Sequence, residues 1–499
     1  MKATKILSLI LAAIMLCSCF LASCGGDSDK KGDAGEVILN TNEVDQSKVL
    51  DLEKKTFNGH EFRFMSRKTS HYHLDTHEIY AEELTGDKLN DAVFTRNAQL
   101  EKEYNCKITE EKTSSPASAA REPLMAGEYV ADFLFDEARL LRNLAASNLL
   151  ADVAKCENVN LEKAWYDENG LNGLNIGGKV FFVVGDAACL DDIAAYIMRF
   201  NRDFVEEYDA DIDLYDEVRK GKWTIDRLYE LMNATAKDLN GDGFLMPGED
   251  RFGYNAERAV NWAHVAACGV SVSTMDDSGN YDIPLSPKQE LVDAWAALKP
   301  VLTASTRLND DGGLNDGLCV FYCCNTGSLL NSSDTAYDLG VLPLPKLNED
   351  QDKYYTTVYF SQLCAYCIPN TANNAEDYAT NGFTSGVEQA AYFLEVFSYY
   401  SMNILTPAFY NQVILKQSVR DIESAEMVEI ALENKIYDPV IGYSFGGMNI
   451  FSAVGSANQN GIPGTDVNYD TLVSSYEAKV AAARKALTNY LNYINTESL

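Results

Sequence analysis

The stretch Leu89–Glu110, LNDAVFTRNAQLEKEYNCKITE, decides the fold class of this chain. Leu89 to Tyr104 reads as a helix, with Val93 and Leu100 on one side at helical spacing, and Cys106 to Glu110 reads as the strand that follows it. Working outward, Glu61-Phe-Arg-Phe-Met65 reads as a strand before the helix. Ala131 to Phe135 reads as a strand after it, leading into a helix around Ala138 to Leu149. Lys179 to Val184 is an apolar run behind the turn Gly177-Gly178 and is expected to be a buried strand, with Ile193 to Tyr208 helical. Helices are also expected over Glu388 to Tyr400, Ser424 to Asn434 and Leu472 to Tyr493. Alternation of this kind predicts an α/β protein whose helices cover the sheet faces.

The chain of 499 residues is long enough for two or three domains. It carries 74 acidic against 41 basic residues, a formal net charge of −33. Such a chain repels nucleic-acid phosphates and anionic lipid, so no nucleic-acid partner is expected and membrane attachment must be covalent or hydrophobic. An acidic surface also favours a neutral ligand over an anionic one, unless a local cluster of Arg or Lys compensates.

Lys2 and Lys5 precede an apolar run, Ile6 to Leu16, that is too short to span a bilayer. Leu21-Ala22-Ser23-Cys24 follows. The tetrad is similar to a bacterial lipoprotein cleavage signal, which makes residues 1–24 a signal peptide and Cys24 the lipidated N-terminus of the mature chain. Each acyl CH₂ then contributes about 0.8 kcal/mol of membrane affinity. Residues 25–56 begin rich in Gly, Asp, Ser and Lys and read as a solvated tether, with folded sequence from about Phe57. Nine cysteines lie beyond Cys24: Cys106, Cys156, Cys189, Cys268, Cys319, Cys323, Cys324, Cys364 and Cys367. An odd number cannot all pair, and Cys364-Ala-Tyr-Cys367, with apolar neighbours and no second such motif, reads as buried thiols in a strand.

Asp238-Leu-Asn240-Gly-Asp242-Gly-Phe244-Leu-Met-Pro-Gly-Glu249 matches the calcium-loop pattern at every required position. Asp238, Asn240 and Asp242 can offer side-chain oxygens, Phe244 its carbonyl and Glu249 two oxygens, while Gly243 allows the turn. An incoming helix is expected over Thr224 to Ala236 and none after Arg251, so the expectation is one structural calcium, not a paired sensor.

Several segments together resemble the carbohydrate-type extracellular solute-binding lipoproteins of bacterial ABC importers, the family 1 solute-binding proteins. They are the start at Cys24, Leu89-Asn-Asp-Ala-Val-Phe-Thr-Arg-Asn97, Gly178-Lys-Val-Phe-Phe-Val-Val-Gly-Asp186 and Gly221-Lys-Trp-Thr-Ile-Asp226 with the calcium-like loop downstream. Gly340-Val-Leu-Pro-Leu-Pro-Lys346 before Tyr354-Tyr355, and Arg420 to Met427 before Tyr437-Asp438, complete the set. The resemblance implies a two-lobed, type II periplasmic-binding-protein-like fold with hinge crossovers. Lobe 1 would comprise residues 57–176 and 356–402, and lobe 2 residues 177–355 and 403–499. It further implies a carbohydrate ligand in the cleft, ABC-transporter permease subunits as partners, anchorage through the N-terminal lipid at the extracellular face of the cell membrane, and no chemistry on the ligand.

Sugar binding requires flat apolar faces and polar groups for hydroxyls. Trp165 and Trp262 lie in polar-flanked segments and are candidate stacking platforms, with core packing as the competing reading; Tyr166 and Tyr254 are further candidates. Asp186, at the end of the Lys179–Val184 run, stands where α/β ligand contacts fall, with a surface or capping role as its alternative. Trp295 belongs to a helical apolar stripe and Trp223 opens a helix, so both are assigned to packing. His71, His73, Asp75 and His77 alternate as metal ligands could, and equally as a polar loop. Gly442-Tyr-Ser444-Phe-Gly446 fits the serine-hydrolase elbow pattern, but no histidine follows Ser444. A calcium-containing glycoside hydrolase, or a binding protein for peptides or other small polar ligands, stands as the alternative function.

Overall fold

The computed structural model describes residues 45–68, 79–256, 261–276, 281–308, 313–329, 336–360, 363–374, 377–412, 422–445 and 470–495. The signal peptide with Cys24, most of the expected tether, and His71–His77 lie outside the described residues. The chain divides into two units, residues 1–49 and residues 50–499. Of the first, Asp45–Val49 are described: Gln46–Lys48 form one 3-10 turn, with the Asp45 carboxylate accepting from the Ser47 amide.

Within the second unit, β1 (His60–Arg67), α1 (Lys88–Tyr104), β2 (Cys106–Thr113), α2 (Pro116–Met125), β3 (Phe133–Glu137) and α3 (Ala138–Ala145) alternate as the sequence predicts. Next come α4 (Glu168–Leu174), α5 (Leu190–Ile193), β4 (Tyr196–Asn201), α6 (Arg202–Tyr208), α7 (Leu214–Arg219), α8 (Ile225–Thr235), β5 (Phe252–Asn255) and α9 (Asn261–Ala267). The hairpin strands β6 (Thr274–Met275) and β7 (Tyr281–Asp282) lead to α10 (Gln289–Thr303), β8 (Arg307–Leu308), β9 (Cys319–Asn325), β10 (Leu339–Leu342), β11 (Thr356–Thr357) and β12 (Cys364–Cys367). The chain ends with α11 (Gly386–Gln412), α12 (Ile422–Glu433), β13 (Lys435–Ile436), α13 (Pro439–Gly442) and α14 (Asp470–Asn495). No helix among the described residues is long and apolar enough to cross a membrane.

Two main sheets form. The first has the order β12-β3-β1-β2, with β1 parallel to both β2 and β3 and β12 antiparallel to β3. The second has the order β10-β4-β9-β5-β8, with β5 parallel to β8 and β9 and β4 antiparallel to its neighbours. α1 and α11 cover the first sheet, where Phe62 stacks on Phe393 at 3.7 Å between ring centroids and Phe64 stacks on Phe133 at 4.5 Å. Arg96 is buried there over the Phe397 ring, and its guanidinium donates to the Ile79 carbonyl and the Ser401 hydroxyl.

Three expectations are corrected. Residues 179–184 are extended and largely buried but form no ladder, making only the isolated bridges Ile176↔Lys179 and Val183↔Tyr366. Their remaining backbone partners include the Asp152 carboxylate and the Asp167 amide, so each end of the run is held by a different segment. Ile193 to Tyr208 is not one helix: α5 ends at Ile193, strand β4 follows, and α6 begins at Arg202. All six residues of β4 are buried, and a strand covered on both faces loses the alternation that separates it from a helix in sequence. α3 also stops at Ala145, short of the expected Leu149, where Asn148 takes a left-handed conformation with φ 54°.

The nine cysteines beyond Cys24 are all free and buried, with Cys364–Cys367 forming β12. Trp223 is buried before the Thr224 cap of α8 and donates to the Pro343 carbonyl at 2.9 Å. Trp295 lies in the core.

Register fixes where the sheets present their edges. The carboxyl ends of β1, β2 and β3 are Arg67, Thr113 and Glu137, and β12 begins at Cys364 opposite Glu137. In the second sheet Asn325, the end of β9, pairs with Tyr196, the start of β4. Chain from Val183 to Tyr196 and chain from Val358 to Tyr366 run antiparallel between these two places, bridged at Val183↔Tyr366 and Ala195↔Val358. The crossovers therefore meet both sheets at the carboxyl ends of their parallel strands. α4 packs against β13 so closely that a Cβ on Gly173 would stand 2.2 Å from the Tyr437 carbonyl oxygen. Gly173→Ala is expected to destabilise the protein by about 1–3 kcal/mol in urea unfolding, since the overlapping atom is backbone; an unchanged midpoint would refute this contact.

Candidate functional site

The crossover between Val183 and Tyr196 holds the densest buried charge. α5 presents Asp191 and Asp192, α4 is capped by Asp167, and β13 supplies Lys435. The Lys435 ammonium lies 2.8 Å from Asp167 Oδ2, 2.8 Å from Asp191 Oδ2 and 2.5 Å from Asp192 Oδ1. Tyr437 donates to Asp167 at 2.9 Å, and Tyr410 of α11 lies 3.4 Å from Asp192. Asp186 accepts from the Thr406 hydroxyl at 2.5 Å, also from α11. Lys435 and Asp191 are buried, whereas Asp186, Asp192 and Tyr410 keep part of their surface open.

Electrostatics separate these carboxylates. Burial pushes Asp186 up to about 8, reinforced by the charges of Asp192 and Asp191. Burial likewise pushes Asp191 up to about 7, because Lys435 only partly offsets it and Asp192 and Asp167 oppose ionisation. Burial would also raise Asp167, but the Lys435 charge, with hydrogen bonds from Lys435, the Gly170 amide and Tyr437, holds it down at about 2. Lys435 is raised well above the ordinary lysine value: desolvation opposes its charge, and the three aspartates outweigh it.

The candidates chosen from sequence fall into two groups. Trp165, Tyr166 and Asp186 adjoin: the Asp186 amide donates to the Trp165 carbonyl at 2.9 Å, and Tyr166 bridges to Gly185. Gly185 has φ 138°, and a Cβ there would lie 2.4 Å from the Trp165 carbonyl oxygen. The Trp165 ring is fully enclosed, edge-on to Tyr399 at 5.6 Å. The Tyr166 hydroxyl donates to Glu395 Oε2 at 2.6 Å, and burial pushes Glu395 up to about 7. Tyr254 and Trp262 form the second group, both buried, on β5 and on α9 just beyond the carboxyl end of β5. Tyr254 hydrogen-bonds His264, while α9 packs against β11, the partner of β13. In this conformation the tryptophans offer no open ring face.

Sequence reasoning did not single out Asp167, Asp191, Asp192, Lys435, Thr406 or Tyr410 as site residues. The adjacent pair Asp191-Asp192 next to an apolar crossover was the available signal; nothing in the sequence marks Lys435 among the other basic residues.

The calcium-like loop is exposed. Asp238 accepts from the amides of Gly241 (2.6 Å) and Gly243 (2.8 Å), Asn240 from Asp242, and Asp242 from Phe244. Asn240 Nδ2 lies 3.1 Å from Glu249 Oε2, so the third and twelfth positions meet across the loop. Leu245 packs against the smaller core of Phe252, Leu308, Leu314, Cys319 and Leu339. Among the described residues no three His, Cys, Asp or Glu side chains converge as a ready metal-holding group. The donor types are those a hard cation takes, and carboxylate oxygens that accept from amides retain lone pairs for it.

Ser444 follows α13 as a left-handed residue at the helix end, φ 51°. It does not join a strand to a helix, so the elbow geometry required for a nucleophile is not formed. No protein-family model matches the chain, and no curated protein sequence matches it.

A carboxyl raised in the folded state binds more protons there than when unfolded. Its contribution is present in full below the unfolded value near 3.8 and is lost as pH rises through the folded value. Asp186→Asn is therefore expected to remove a fall in melting temperature between roughly pH 5 and 8. Parallel profiles for wild type and variant would contradict it.

Proposed function

We propose that this protein is a lipid-anchored extracellular binding protein that captures a sugar or short oligosaccharide and delivers it, intact, to the permease subunits of an ABC importer. In this reading the two sheets form the cores of two lobes, the crossovers are their hinge, and Cys24 carries the anchor. The observation that carries the reading is the juncture of the crossovers with the carboxyl ends of both sheets, where Asp186, Asp192 and Tyr410 remain partly open. Ligands of open α/β sheets bind beyond carboxyl strand ends, and two lobes on a hinge can close over them. Carboxylates and a phenol suit the hydroxyls of an uncharged guest. The net charge of −33 and the acidic crossover both disfavour an anionic one. Trp165 and Trp262, enclosed here, would serve as platforms only where lobe opening exposed them.

Thermal shift of the mature protein against mono-, di- and trisaccharides tests the reading. At least one sugar is expected to raise the melting temperature, by about 2.7 kcal/mol of linkage at a hundred times its Kd, and to be recovered unchanged by mass. Cleavage of the sugar would replace the reading with a glycoside hydrolase, and stabilisation by peptides alone would replace the ligand class.

We assign one structural calcium to Asp238, Asn240, Asp242, Phe244 and Glu249. Extracellular sites of this kind work at about 10⁻⁴–10⁻³ M. Millimolar calcium is expected to raise the melting temperature relative to EDTA without changing sugar affinity; coincident melting curves would remove the ion from the account.

A further inference from the structure

At the carboxyl edge of the first sheet, β3 passes into α3 without a loop. Glu137 ends the strand and occupies the cap position of the helix, yet its side chain caps no amide. Its carboxylate is fully buried and is held instead by two guanidinium groups, those of Arg67 at the end of β1 and Arg139 in the first turn of α3. The two arginine side chains are 26% and 44% exposed; Nε and Nη1 of Arg67 are themselves enclosed, so it is Arg139 that presents a cation at the open edge.

This arrangement runs against local stability twice. A cation in the first turn opposes the helix dipole, which only the Glu137 carboxylate at the cap position offsets. A fully buried carboxylate is expensive to desolvate even when paired. Departures from local rules collect at functional places. The location agrees: Glu137 pairs with Cys364, and the Ala138 amide donates to the Leu363 carbonyl at 3.0 Å, where the second crossover enters the sheet. The trio therefore stands at the same juncture as the aspartate-lined crossover but carries donors where that crossover carries acceptors. A sugar hydroxyl both donates and accepts, so a complete site requires both kinds of group.

We propose that Arg139, braced with Arg67 on the buried Glu137, is a ligand-contacting residue of the sugar site, its guanidinium fork donating to two adjacent oxygens of a pyranose ring. The inference rests on the binding reading above and deepens it by naming the donor side. The fork is planar and fixed by Glu137 through Nε, and its terminal nitrogens match a vicinal oxygen pair as a lysine cannot. Glu137 and Arg67 act as positioning residues.

Arg139→Ala and Arg139→Lys, made in the full mature chain, test it by calorimetric titration with whichever of glucose, maltose, cellobiose, xylobiose and mannobiose most stabilises the wild type. Arg139→Ala is expected to weaken binding by about ten-fold or more, the loss of charge-assisted hydrogen bonds, and Arg139→Lys to fall between it and the wild type. Arg139→Ala is expected to melt lower than the wild type without sugar, since the buried Glu137 loses one of its two cations, while Arg139→Lys keeps the charge and is expected to melt closer to it, so that weakened binding by the lysine variant reports the fork and not the fold. A wild type that binds sugar and an Arg139→Ala variant that binds it equally well would overturn the inference and leave the binding reading standing. A wild type stabilised by none of these sugars would overturn both.

Discussion

One ammonium group holds the middle of this molecule together. Lys435 is a shared countercharge for Asp167, which caps α4, and for Asp191 and Asp192, which α5 presents together. Ion pairs this buried are a weak source of net stability, because desolvation offsets most of the attraction. Their value lies in specificity: with a different neighbour in place of Lys435, three carboxylates would have to be protonated or pushed apart. The cluster thus selects one relative placement of α4, α5 and β13, and Gly173 permits the close approach that placement requires.

From that fixed point the remaining geometry follows. β13 pairs with β11, β11 leads into the crossover that becomes β12, and the opposite crossover leads from Val183 into β4. Because β1, β2 and β3 run parallel, as do β5, β8 and β9, the parallel strands of each sheet share one carboxyl edge, and the crossovers reach both. Two chemistries meet at this juncture: acceptors on the crossover and cationic donors at the edge of the first sheet. Under the proposed binding role, each supplies the kind of group the other lacks.

Much of the fold was legible in the sequence. The Leu89–Glu110 stretch, the strand at Glu61–Met65 and the last helix, α14, have one exposed and one buried face, and amphipathic periodicity reports them well, whereas residues 389–398 of α11 are buried all round. β4 was not legible, because YIMRFN is covered on both sides and its period is invisible. Of the candidate residues, Trp165, Tyr166 and Asp186 adjoin, a meeting that the sequence does not announce, since the run before Asp186 forms no ladder. Lys435 was illegible for a different reason. Its significance comes from carboxylates that are distant in sequence, up to 268 positions away for Asp167, and no local pattern encodes such a meeting.

The thiols carry a last consequence. Cys106, Cys156 and Cys268 are pushed up to about 12 by burial, and Cys319, Cys324 and Cys367 are raised for the same reason. Exchange and oxidation proceed through the thiolate, so at neutral pH these sulfurs offer almost no nucleophile and no access to an oxidant. None of the nine described thiols is paired in a disulfide in the folded chain, and burial keeps them out of exchange. The vulnerable interval is before folding, when every sulfur is accessible, so rapid closure of the core is itself its protection against mispairing.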